Sequence, residues 1–105
     1  MTMIKGTTPT IKYNLPFESS LIKSAEIVVM YVDANKEVLI IRNLEKCTLG
    51  DKCIETVLTQ EETLKLPAPS TVEVQLRIVT KDDTILATVP EKVTVKRLLK
   101  EDVIE

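Results

Sequence analysis

Histidine is absent from this 105-residue chain, and with it goes the most adaptable acid–base group at neutral pH. Ser-His-Asp and Cys-His arrangements therefore have no base around which to form. Aromatic residues are scarce, with two Tyr, one Phe and no Trp, which leaves little surface for stacking on sugars. Glycine occurs only at Gly6 and Gly50, so there is no glycine-rich phosphate cradle, P-loop or dinucleotide fingerprint. Charge of one sign is also lacking: 14 Lys and Arg stand against 16 Asp and Glu, and no basic field exists to hold a phosphate backbone. Nucleic acid and small-molecule substrates are not expected partners. No run of about 18 apolar residues appears, which excludes a membrane-spanning helix. The N-terminus Met1-Thr2-Met3-Ile4-Lys5-Gly6 lacks the apolar segment of a signal peptide, so the cytoplasm is the expected compartment unless a larger assembly carries the chain out.

The two cysteines, Cys47 and Cys53, bracket Thr-Leu-Gly-Asp-Lys, which reads as the tip of a hairpin. A three-residue loop over Leu49–Asp51 sets Cys47 opposite Cys53 and permits a disulfide; a two-residue Gly50-Asp51 turn puts them on opposite faces, so register decides. In a reducing compartment two free thiols are the default. Metal sites find poor material. Structural zinc uses four Cys or His ligands, and Asp33, Asn35 and Glu37 lack the glycine and distal glutamate of a calcium loop. The acidic pairs Glu61-Glu62, Asp82-Asp83 and Glu101-Asp102 fall in expected turns, a helix start and the tail, where solvated charge explains them. No catalytic or metal-binding residue and no cofactor follow from the sequence; the protein is not expected to be an enzyme.

What is present is valine, isoleucine and leucine in short runs, a β-branched bias that favours strands. The clearest is Thr71–Thr80, where Val72, Val74, Leu76 and Ile78 alternate with Glu73, Gln75 and Arg77, one face for a core and one for water or a partner. Ahead of it, Ile11, Tyr13 and Leu15 alternate after Pro9, as in an edge strand. Ala25–Val32 and Glu37–Asn43 are apolar on both faces, and Asp33–Lys36 between them has turn chemistry, so the two read as a hairpin. A strand apolar on both faces in a one-core domain needs a second cover or tolerates singly exposed side chains. Cys53–Thr59 reads as another strand. Thr59 and Glu62 then have the spacing of a capping box, predicting a short helix to about Leu66 that Pro67 and Pro69 end; this corner carries the chain from one sheet to another. Lys81-Asp82-Asp83 predicts a tight turn, Thr84–Val89 a return strand interrupted by Pro90, and Glu91–Lys96 a last strand with Val93 and Val95 inward.

These elements fit a single all-β domain over residues 1–105, a mainly antiparallel immunoglobulin-like β-sandwich of about seven short strands with one helical turn near 60–66. A small barrel, or one sheet with a helix, is the alternative. Residues 1–7 read as a flexible arm and 97–105 as a charged tail whose Leu98, Leu99, Val103 and Ile104 also suit a short amphipathic helix.

Gly6-Thr7-Thr8-Pro9-Thr10, Asn14-Leu15-Pro16-Phe17, Ser20-Leu21-Ile22, Leu58-Thr59-Gln60-Glu61-Glu62-Thr63-Leu64, Val74-Gln75-Leu76-Arg77 and Val93-Thr94-Val95 before an acidic tail together resemble small structural proteins encoded in tailed phages and prophages of Gram-positive bacteria. The likeness spans most of the chain, departing at the cysteine hairpin and at Leu66-Pro67-Ala68-Pro69. It implies a non-enzymatic, tail- or baseplate-associated assembly protein that contacts other phage structural proteins or itself, as a homo-oligomer. It would work in the host cytoplasm during assembly and in the virion. The expected contact residues are Thr8 and Thr10 of the arm, an edge open to strand addition, and Ile27, Val28, Met30, Leu39 and Ile41 of the hairpin. A cell-surface carbohydrate- or peptide-binding module is the alternative, but it calls for exposed aromatics, and Tyr13, Phe17 and Tyr31 are few.

Overall fold

The computed structural model describes residues 2–31, 38–97 and 99. Among them are nine strands: β1 (Thr2–Ile4), β2 (Thr10–Asn14), β3 (Ile22–Tyr31), β4 (Val38–Asn43), β5 (Thr48–Gly50), β6 (Cys53–Val57), β7 (Ser70–Thr80), β8 (Ile85–Ala87) and β9 (Glu91–Lys96). One short helix, α1 (Gln60–Leu64), and two 3-10 turns, Ser19–Leu21 and Leu44–Lys46, complete the regular structure.

β7 is the centre, and its alternation decides why. Val72, Val74, Leu76 and Ile78 are all buried, the most accessible at 4%, while Arg77 on the opposite face is exposed. Its 11 residues give it room to pair with β3 along one edge and with both β9 and β8, end to end, along the other. The order β1-β9-β7-β3-β4, with β8 also on β7, makes a six-stranded sheet, and β2-β6-β5 forms a separate three-stranded one. All ladders are antiparallel except β1 with β9. The inward rows oppose one another rung by rung: Ala25 with Ile78, Ile27 with Leu76, Val29 with Val74, and Val72 with Val93. With Ile11, Ile54 and Leu58 from the small-sheet side they form one buried cluster. Each Val, Leu or Ile among them is worth roughly 1.5–3 kcal/mol when removed from water.

This is an immunoglobulin-like sandwich. β2, β6 and β5 stand where the second, fifth and fourth strands of that fold pair, and β9, β7, β3 and β4 stand as its G, F, C and C′ strands. Among the described residues the two sheets share no ladder, as in a sandwich rather than a single sheet or a closed barrel. The corner from β6 to β7 is made as its sequence predicts: the Thr59 hydroxyl accepts the Glu62 amide at 3.1 Å and the Glu62 carboxylate accepts the Thr59 amide at 2.9 Å. Thr63, wholly buried, donates from α1 to the Thr7 carbonyl at 2.6 Å.

Two expectations change. Within the arm expected over residues 1–7, Thr2–Ile4 add a parallel strand to β9, and Met3 is 2% exposed, seated opposite Val95. Gly6, with φ of 78°, then turns the chain toward the small sheet. The expected strand Thr84–Val89 shortens to Ile85–Ala87. Thr88 continues its line by bonding Leu76, donating its amide to the Leu76 carbonyl at 2.9 Å and accepting the Leu76 amide on its hydroxyl at 3.0 Å; Pro90 can donate nothing there. The turn expected at Asp33–Lys36 and the tail from Lys100 onward lie outside the described residues.

Leu76→Ala should lower the unfolding free energy by about 2–5 kcal/mol, whereas Ile85→Ala, at a residue 68% exposed, should change it by less than about 0.5 kcal/mol. Urea denaturation of the two variants beside the parent measures the contrast.

Candidate interaction face

The outward face of β3 and β4 carries the apolar surplus that the sequence foreshadows. Across the hairpin Val28 opposes Ile41, and Met30 opposes Val38. Val28 and Met30 are half-buried by their neighbours, while Ile41 is 54% and Val38 44% exposed. On the β7 side Gln75 stands next to Val28 and Glu73 next to Met30, so the stripe ends against polar side chains. A Glu26–Arg77 ion pair at 3.1 Å closes it at one end, beside Asn43.

Not every expected contact residue belongs here. Ile27 is wholly buried between the sheets: in a run apolar on both faces, its rung opposite Leu76 and Arg42 points it inward. Leu39 is the extra residue of a β-bulge, between the Val29–Ile40 and Met30–Val38 rungs, and it packs against the core. Thr8 and Thr10 are exposed, but Thr10 is on β2 of the small sheet, away from the outward face of the large one. The structure thus brings together Val28, Met30 and Ile41, and adds Val38, which alternation alone did not single out because the bulge breaks its register.

β4 is the terminal strand of its sheet, paired with β3 alone among the described residues. Its inner face is held by Ile40, buried in the core, and by Arg42. The guanidinium reaches across to α1 and β6, pairing with the Glu62 carboxylate and donating to the Val57 carbonyl at 3.3 Å. Burial alone would raise the Glu62 pKa, but the Thr59 amide and hydroxyl and the Arg42 charge together outweigh it and hold the carboxyl below its ordinary value. The sequence signals this pair only through the parity of Arg42 with Ile40.

The cysteines do not meet. Gly50 opposes Cys53 and Thr48 opposes Glu55, so the turn is Asp51-Lys52 and Cys47 stands three rungs from Cys53. That is roughly 10 Å along a strand, beyond the reach of a disulfide, and both thiols are free. Burial raises the Cys47 pKa against the opposing effects of Thr56 and Arg42, which disfavours a reactive thiolate. Gly50 lies so close to Cys53 that a methyl group there would sit 2.5 Å from its Sγ.

Tyr13, Phe17 and Tyr31 pack against the core, and burial pushes the Tyr13 hydroxyl's pKa up. None forms an open stacking platform. An open depression of about 680 Å³ between Lys23–Glu26, Asn43–Glu45 and Arg77–Val79 has charged walls, but Glu26 and Arg77 pair with each other and Lys23 pairs with Asp83 at 2.8 Å. Among the described residues no group of three or more His, Cys, Asp or Glu side chains is placed to hold a metal, and no helix is long and apolar enough to cross a membrane. No protein-family model matches the chain, and no curated protein matches it.

Because folding depresses the Glu62 pKa, its ionised form stabilises the native state above the ordinary glutamate range, and that contribution disappears as pH falls through the depressed value. Glu62→Gln should therefore cost about 1 kcal/mol at neutral pH and progressively less on acidification. Thermal unfolding of both proteins across the acid range reads the convergence.

Proposed function

We propose that this protein is a non-enzymatic structural or assembly component of the kind encoded in tailed phages and prophages, tail- or baseplate-associated, and that it works through contacts with other proteins. The observation that carries this reading is the outward stripe of Val28, Met30, Val38 and Ile41, two of them about half exposed, on a sheet whose last strand, β4, is unpaired on one side among the described residues. An apolar strip beside an open strand edge is a surface that another polypeptide satisfies twice over, by covering side chains and by bonding the backbone. The part-buried aromatics weigh against a sugar-stacking module, which needs its rings in the open. In this reading the protein assembles in the host cytoplasm and is then incorporated into the particle.

The test is particle composition. Virions induced from the strain carrying this gene and banded on a density gradient should contain its peptides at a constant ratio to the major tail protein. Peptides confined to the soluble fractions at the top of the gradient would overturn the assignment.

A further inference from the structure

We infer that the open edge of β4 pairs antiparallel with β4 of a second copy of this chain, about a two-fold axis at Ile41. The inference names the partner for the assembly reading and rests on it for its purpose, while the geometry comes from the strands themselves.

Sheet edges are usually protected by shortness, charge, proline or cover. Among the described residues β1, β5 and β8 have three residues each, and Pro90 closes the line that β8 begins. β2 has five, but Lys12 is its midpoint, so a symmetric pairing brings two ammonium groups together. Like charges directly opposed are destabilising. β4 alone offers six residues, Val38–Asn43, and the first four are aliphatic. Its protection is the bulge at Leu39, which disturbs only the beginning of the strand.

Register then selects one pairing. Residues opposed across an antiparallel ladder share a face, so inward Ile40 cannot oppose outward Ile41 and the axis must pass through a residue. An axis at Ile40 drives Val38 and the bulged Leu39 into the ladder, setting outward Val38 opposite inward Arg42. An axis at Ile41 sets Ile40 opposite Arg42, both inward, and leaves the bulge at the ends. In that arrangement no two like charges are opposed, since Arg42 is the only charged residue of the strand and is already joined to Glu62. On the outer face the two Ile41 side chains meet and the two Val28 side chains flank them, so the stripe becomes continuous across the axis. Such an isologous contact uses the same patch on both copies and joins two six-stranded sheets edge to edge.

Sedimentation velocity over a dilution series tests this with three samples: the parent, Ile41→Lys and Ile41→Glu. Both substitutions fall on a residue 54% exposed, and circular dichroism with unfolding midpoints verifies that each variant is folded. The parent should show a dimer that dissociates on dilution. Each variant alone should associate at least about tenfold more weakly, because two like charges meet on the axis, and an equimolar mixture of the two should recover a heterodimer. A parent that is monomeric throughout, a variant dimer as strong as the parent's, or a mixture that stays monomeric would each overturn the pairing. A dimer from a protein absent from virions would sink the assembly assignment while leaving the pairing intact.

Discussion

Everything in this sandwich leans on the inward row of β7. Val72, Val74, Leu76 and Ile78 together carry the buried row through the central strand, pairing with β3 on one edge and, on the other, with β9 at Val72 and Val74 and with β8 at Ile78. A shift of one residue in that strand would carry the row to the outer face and bring Glu73, Gln75 and Arg77 into a core that has no partners for them. The register of the sheet is therefore set by exclusion as much as by attraction. With a single phenylalanine and no tryptophan, the core is built from aliphatic side chains of similar size, which interlock by position rather than around one large ring.

Where the sequence was legible, a local rule coincided with the global one. β7 and β9 alternate cleanly because one face of each is covered and the other is wet. The capping box at Thr59 and Glu62 is a contact over three residues, and it formed as its spacing requires. The illegible parts depend on partners far away in the chain. β1 has only three residues, one of them buried; nothing in Thr-Met-Ile announces a strand until β9, some ninety residues later, supplies the parallel edge. The cysteine turn failed for a related reason. Both expected registers placed Gly50 within the loop, whereas Gly50 is the last rung and Asp51-Lys52 makes the turn, because the side chain of Cys53 occupies the space above a residue without a Cβ.

The interaction face shows the same division in sharper form. A continuous aliphatic run such as Ile27–Met30 or Val38–Ile41 announces that both faces are apolar but not which residue takes which face. Parity relative to β7 resolves β3: Ile27 and Val29 go in, Val28 and Met30 go out. On β4 even parity fails, since the bulge at Leu39 returns Val38 to the outer face out of step with Ile40. Bulges arise from the twist and pairing of two strands, so no inspection of one strand alone would have found it.

Arg42 connects this face to the rest of the molecule. An arginine in the terminal strand of a sheet ordinarily points to water and discourages edge pairing. Here it turns inward and is committed to Glu62 and the Val57 carbonyl, so its charge secures β4 against the second sheet and is spent there. The outer side of the strand keeps only aliphatic side chains ahead of Asn43. The same residue that fixes the edge strand to its own domain thus leaves Val38–Asn43 without an outward charge. A chain whose fold required a solitary monomer would gain by reversing that choice, setting the cation outward at position 41 and an aliphatic residue inward at 42.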